Sequence, residues 1–113
     1  MEHHIDPDTA RAVRAFLDRL PARYDVAGAI LFGSRARHDH RPDSDADVLV
    51  LLRGLPSDRI EASMPMSELA FDVLLETGVL VQAVPIWESE WEHPEQFNNP
   101  SLLRNVRAEG VPL

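Results

Sequence analysis

A chain of 113 residues fits one domain with its own core and leaves no room for a separate substrate-binding domain, so a large substrate is expected to arrive with a partner. Eleven basic against nineteen acidic residues give a net charge of -8, the wrong sign for a broad nucleic-acid surface and a better match to a basic protein partner. The absence of cysteine excludes disulfides, thiolate metal sites and cysteine nucleophiles; with apolar runs too short to span a bilayer and a start, Met1–His4, unlike a signal peptide, a soluble cytoplasmic protein is expected.

Asp6-Pro7-Asp8-Thr9 supplies a cap, a first-turn proline and an acidic first turn, which predicts a helix with Val13, Phe16, Leu17 and Leu20 on its core face and Pro21 at its end. Val26–Phe32 is too short and apolar for a helix and reads as a buried strand ending at Gly33-Ser34. The polar residues Asp39–Ser44 turn the chain into a second strand, Asp45–Leu52, making a hairpin-like unit with a long, arginine-bearing connection. A second helix begins between Asp58 and Pro65, brings Leu69, Val73 and Leu74 to the core and stops near Thr77-Gly78. Val79–Ile86 reads as a third strand, with Pro85 marking an edge or the end of pairing. Asn99-Pro100 caps a last helix that presents Leu102, Leu103 and Val106 and stops at Gly110. This order predicts a small α/β (α+β) domain, a mixed sheet flanked by helices, occupying residues 1–113.

The residues that carry chemistry fall between the first two strands. Asp45 and Asp47, two apart on a strand, share a face with backbone origins about 7 Å apart. Paired hard oxygens suit Mg²⁺, which takes one or two carboxylates and completes its shell with water and phosphate oxygens. Without a cation the pair needs a counter-charge, which a solvated cluster of Arg35, Arg37 and Arg41 would also supply. Gly33 lets backbone approach a phosphate, the Ser34 hydroxyl can hydrogen-bond it, and Arg35 or Arg37 can add charge-assisted contacts.

Gly33-Ser34-Arg35-Ala36-Arg37 followed by Ser44-Asp45-Ala46-Asp47-Val48-Leu49-Val50 resembles the signature of the DNA polymerase beta-like nucleotidyltransferase superfamily, and within it the minimal nucleotidyltransferase (MNT) group. The resemblance implies that fold, Gly33 and Ser34 at the triphosphate of ATP or another NTP, and Asp45 and Asp47 as catalytic Mg²⁺ ligands. It also implies a hetero-oligomer with a HEPN-domain RNase toxin, which MNT antitoxins neutralise, in some cases by transferring AMP to a toxin tyrosine. Two positions depart from the pattern. His38 stands where glycine is common, and Val79–Ile86 lacks the third carboxylate that active members place on a neighbouring strand. Gln82 is the candidate for that position, and a neutral amide cannot accept a proton. The alternative is therefore a catalytically impaired module that neutralises its partner by contact alone.

Other polar and aromatic residues point to no second chemistry. Glu76 and Glu88 read as surface residues, and His3, His4, His38, His40 and His93, whose spacings match no ligand motif, read as solvated. Trp87 and Trp91, four apart and near Phe97, read first as core and second as an anchor for a basic partner.

Overall fold

The computed structural model describes residues 5–113; His3, His4 and the rest of the Met1–His4 start lie outside the described residues. Helix α1 spans Pro7–Arg19, with Asp6 as its cap: Asp6 Oδ1 accepts the Thr9 N–H at 3.0 Å. Strand β1 (Val26–Phe32) leads through Gly33 into a single helical turn, α2 (Ser34–Arg37), and strand β2 (Ala46–Leu52) returns antiparallel to β1. Helix α3 (Arg59–Thr77), capped by Asp58 and closed by left-handed Gly78, connects β2 to the parallel strand β3 (Val81–Trp87). A short α4 (Glu88–Glu92), α5 (Pro100–Glu109) and a two-residue β4 (Val111–Pro112) complete the chain. The mixed sheet has the order β3-β2-β1-β4, with β4 antiparallel to β1.

Alternation along the two central strands divides the core into layers. Ala29, Leu31, Val48 and Val50 pack against α1 and α3 through Ala12, Val13, Phe16, Met66, Ala70 and Val73. Ile30, Phe32, Leu49 and Leu51 face the other way and meet α5 through Leu103 and Val106, with Phe97 beside them. Gly110 is required by close packing: a Cβ there would lie 2.5 Å from Ile30 Cγ2 and 2.4 Å from the Val106 carbonyl oxygen.

Several boundaries differ from the sequence expectations for local reasons. Pro65 lies inside α3, which starts at Arg59 because the Asp58 carboxylate accepts the Glu61 N–H at 3.1 Å. Strand β3 starts two residues later than expected, since Thr77 Oγ1 holds the Val79 N–H at 3.3 Å in the turn after α3. Pro85 does lie on an edge strand, but pairing continues past it to Trp87, opposite Leu52. Trp87 therefore belongs to the sheet and is buried, and Trp91 packs beside Phe97 under the Arg107 guanidinium, 3.9 Å from the ring centroid. Burial in the sheet removes Trp87 as a partner anchor, while Trp91 is partly buried against the Phe97 cluster. Arg59 locks the start of α3 to this region, lying over the rings of Trp87 (5.1 Å) and Phe97 (4.9 Å) and pairing with buried Glu90.

Candidate nucleotide and metal site

The site forms where β1 ends. Gly33 has φ +76° and ψ -158°, a combination essentially confined to glycine, and its carbonyl accepts the N–H groups of Ala36 and Arg37 at 3.1 Å to start α2. The glycine is required a second time by contact, because a Cβ at Gly33 would lie 2.3 Å from Asp47 Oδ2 and 3.2 Å from its Cγ. His38, where the resemblance expects glycine, ends the turn at φ +63° and ψ +28°, in the left-handed region. Its place in the turn explains the usual glycine there, and the Asp39 N–H still reaches the Ser34 carbonyl at 3.1 Å.

Asp47 pairs with Phe32 on one side and with Gln82 on the other. It shares the face of Leu49 and Leu51, so the period-two pattern that buries those leucines against α5 carries Asp47 to the end of the same face. Asp45 sits one residue before β2 begins. Burial pushes the Asp47 carboxyl above its ordinary value, the neighbouring Asp45 pushes it further, and Arg37 opposes both. Gln82 is exposed and stands beside Asp47 in the parallel register.

The two arginines that the sequence proposes for phosphate have different placements. Arg37 is exposed; its Nε donates to Asp39 Oδ2 at 3.1 Å and its Nη1 to Glu109 Oε1 at 3.0 Å, at the end of α5. Arg35 is 2% exposed and points inward, a correction to its expected role as a phosphate contact. Its guanidinium donates to the Ser44 carbonyl at 3.0 Å, Thr9 Oγ1 at 2.8 Å and the Pro42 carbonyl at 3.1 Å. All three of its nitrogens are thus engaged in tying the segment before Asp45 to α1, where Thr9 in turn donates to Asp6 at 2.6 Å. No solvated three-arginine cluster surrounds the aspartates; of the three, Arg37 is the one that acts on Asp47.

Thr9 and Glu109, which position Arg35 and Arg37, have no sequence signal at such separations from them. His40 departs from its expected solvation: it is partly buried, with Nε2 3.3 Å from Asp6 Oδ2. Among the described residues, no group of three or more His, Cys, Asp or Glu side chains converges on one point. The chemistry of Asp45 and Asp47 fits a Mg²⁺ ion that keeps water and takes phosphate oxygens from a substrate, and a cation would relieve the repulsion between them. The same pair does not fit a site built entirely from protein ligands.

The family model of the nucleotidyltransferase domain matches residues 13–106, a span that contains Gly33, Ser34, Asp45, Asp47 and Gln82. The chain belongs to the nucleotidyltransferase domain family. A Methanocaldococcus jannaschii relative named "Putative protein adenylyltransferase" is 34% identical to this nucleotidyltransferase domain over 105 residues, covering 88% of the chain and 92% of the relative. Two solved structures share its fold. One is a crystal structure of a "putative nucleotidyltransferase" from Sulfolobus solfataricus, with TM-score 0.53 and 18% identity, covering 95% of this chain and 86% of that one. The other is a toxin-antitoxin solved with AMP-PNP, with TM-score 0.58 and 22% identity, covering 92% of this chain and 70% of that one. No helix among the described residues of the nucleotidyltransferase domain is long and apolar enough to cross a membrane.

Proposed function

We propose that this nucleotidyltransferase domain is the MNT-type antitoxin of a HEPN/MNT pair, binding ATP or another nucleoside triphosphate with Mg²⁺ and transferring AMP to its toxin. The observation that carries the reading is the contact of Gly33 with Asp47, which puts a turn that only glycine can make against the carboxylate proposed to hold the cation. The toxin-antitoxin of shared fold and the relative named for protein adenylylation support the partner and the reaction.

In this reading Gly33 and Ser34 bind the triphosphate, Arg37 faces its charge, and Asp45 and Asp47 would hold the cation. Mg²⁺ when bound neutralises phosphate charge and stabilises the oxygens of an in-line displacement. An acceptor hydroxyl oxygen bonds to the α-phosphorus while the bond to the β-phosphate's bridging oxygen breaks and pyrophosphate leaves. The hydroxyl proton passes to solvent, since Gln82 beside Asp47 cannot take it.

The same amide favours a second reading, a domain that holds nucleotide and neutralises the toxin by contact alone. Incubation with Mg²⁺, α-labelled ATP and the HEPN product of the adjacent reading frame separates them. Label in the toxin, lost in the Asp45→Asn/Asp47→Asn double variant, supports transfer; a stable complex without label supports contact alone, and neither complex nor label rejects both.

A further inference from the structure

Helix α3 is apolar on two opposite faces. Met66, Ala70 and Val73 are buried in the core, while Ile60 (74% exposed), Met64 (60%), Phe71 (55%) and Leu75 (71%) face solvent. At 3.6 residues per turn these four fall within an arc of about 60° and run along about 22 Å of helix. Their spacing of four, seven and four residues is that of a helix seam. Glu61, Glu68, Asp72 and Glu76 line one flank of this stripe; of these, Glu76 meets a cation among the described residues, Arg19.

We propose that this stripe is the docking surface for an amphipathic helix of a protein partner, one with an apolar seam and a lysine- or arginine-rich flank. The length and spacing suit a helix of about four turns laid along α3. The acidic flank selects its charge. A second copy is disfavoured because antiparallel pairing of two α3 helices sets one acidic flank against the other, in chains that each carry a net charge of -8. An anionic membrane surface is disfavoured by the same flank, since helices that lie on lipid present lysine and arginine there. The stripe lies on the helix that borders a cleft: Ser67 and Ala70 of α3 form one wall, and β3 from Leu80 to Val84, including Gln82, forms the other. A helix seated on α3 would thus lie near the free edge of β3, on the layer of the sheet opposite the face that Asp47 shares with Leu49 and Leu51. Naming that partner as the toxin rests on the antitoxin reading above; the surface and its charge preference do not.

The test uses the full chain and its Ile60→Glu/Phe71→Glu variant. Two synthetic helices with leucine at seam positions serve as probes, one with lysine and one with glutamate flanks. The expected result is micromolar binding of the lysine helix, at least tenfold weaker binding of the glutamate helix, and at least tenfold weaker binding of the lysine helix by the variant, whose melting temperature and Mg-ATP binding are unchanged. The proposal is overturned if wild type and variant bind the lysine helix equally or not at all, or if sedimentation shows a wild-type dimer that the variant dissolves. The HEPN product is measured in parallel: if the lysine helix behaves as expected and the toxin does not bind, the pairing with that toxin fails while the surface stands.

Discussion

Gly33→Ala offers the sharpest test of how the turn and the Asp47 carboxylate are joined. A non-glycine residue at φ +76° and ψ -158° costs about 1–3 kcal/mol in backbone strain. The new methyl would also lie 2.3 Å from Asp47 Oδ2, well over 1 Å inside ordinary contact, so the carboxylate or the turn must move at a further cost of about 1–3 kcal/mol. Together these give about 2–6 kcal/mol, a large share of a domain stability of about 5–15 kcal/mol. The two parts separate in a double-mutant cycle. In an Asp47→Ala background the Oδ2 and Cγ contacts are gone and the nearest remaining neighbour, Asp47 Cβ at 3.5 Å, is at ordinary distance. Gly33→Ala should therefore cost about 1–3 kcal/mol less there than in the wild type, read from urea midpoints at constant m-value. Additive effects of the two substitutions would refute the claim that Gly33 is kept for contact with Asp47.

Three further outcomes follow from the same geometry. Asp47→Asn should raise the melting temperature at pH 7: the folded state raises this carboxyl through burial and Asp45, so the wild type's stability from the group is greatest below its ordinary value of 3.8 and is lost as pH rises through the elevated one. The advantage of the variant should shrink on acidification toward pH 4, and Mg²⁺ with ATP should stabilise the wild type alone; a melting difference independent of pH would reject this account. Arg35→Met should cost about 3 kcal/mol or more, because it leaves Thr9 Oγ1 and two carbonyls without their charged donor. Arg37→Met should leave the urea midpoint unchanged and weaken nucleotide binding, and equal destabilisation by the two substitutions would show that the arginines are not divided between structure and site. Gln82→Asp should increase transfer of AMP in a folded variant, with the gain appearing above the pKa of the new carboxylate; an unchanged rate would remove β3 from the proton's path.

The fold was legible where local patterns and core pattern agree. Capping residues Asp6 and Asn99 precede helices whose buried faces, Val13 and Phe16 in one and Leu103 and Val106 in the other, recur at helical spacing. Strand β4 carries no such pattern: two residues cannot show alternation, and Val111 finds its place by pairing with Leu31, eighty positions earlier. The stripe on α3 was hidden for the opposite reason. Apolar residues recur around most of that helix, as they would in one that is buried on all sides, and only its position on the outside of the sheet leaves Ile60, Met64, Phe71 and Leu75 in water.

Within the candidate site, strand geometry was readable and helix geometry was not. Asp47 could be placed on the face of Leu49 and Leu51 from period-two alternation, whereas Gln82 was matched to the neighbouring position by the family resemblance and as the one polar residue of the third strand; the register that sets Gln82 beside Asp47 also puts Leu49 with Val84 and Leu51 with Ile86. Arg35 and Arg37 are also two apart, and in an extended connection they would share a face. They lie instead in the helical turn that Gly33 starts, where two residues subtend about 200°, so one must point in when the other points out. The backbone that brings Gly33 against Asp47 thereby turns Arg35 toward Thr9 and leaves Arg37 beside the aspartates. Glycine at this position fixes more than the contact with Asp47: it decides which arginine builds the loop and which stays exposed beside the candidate site.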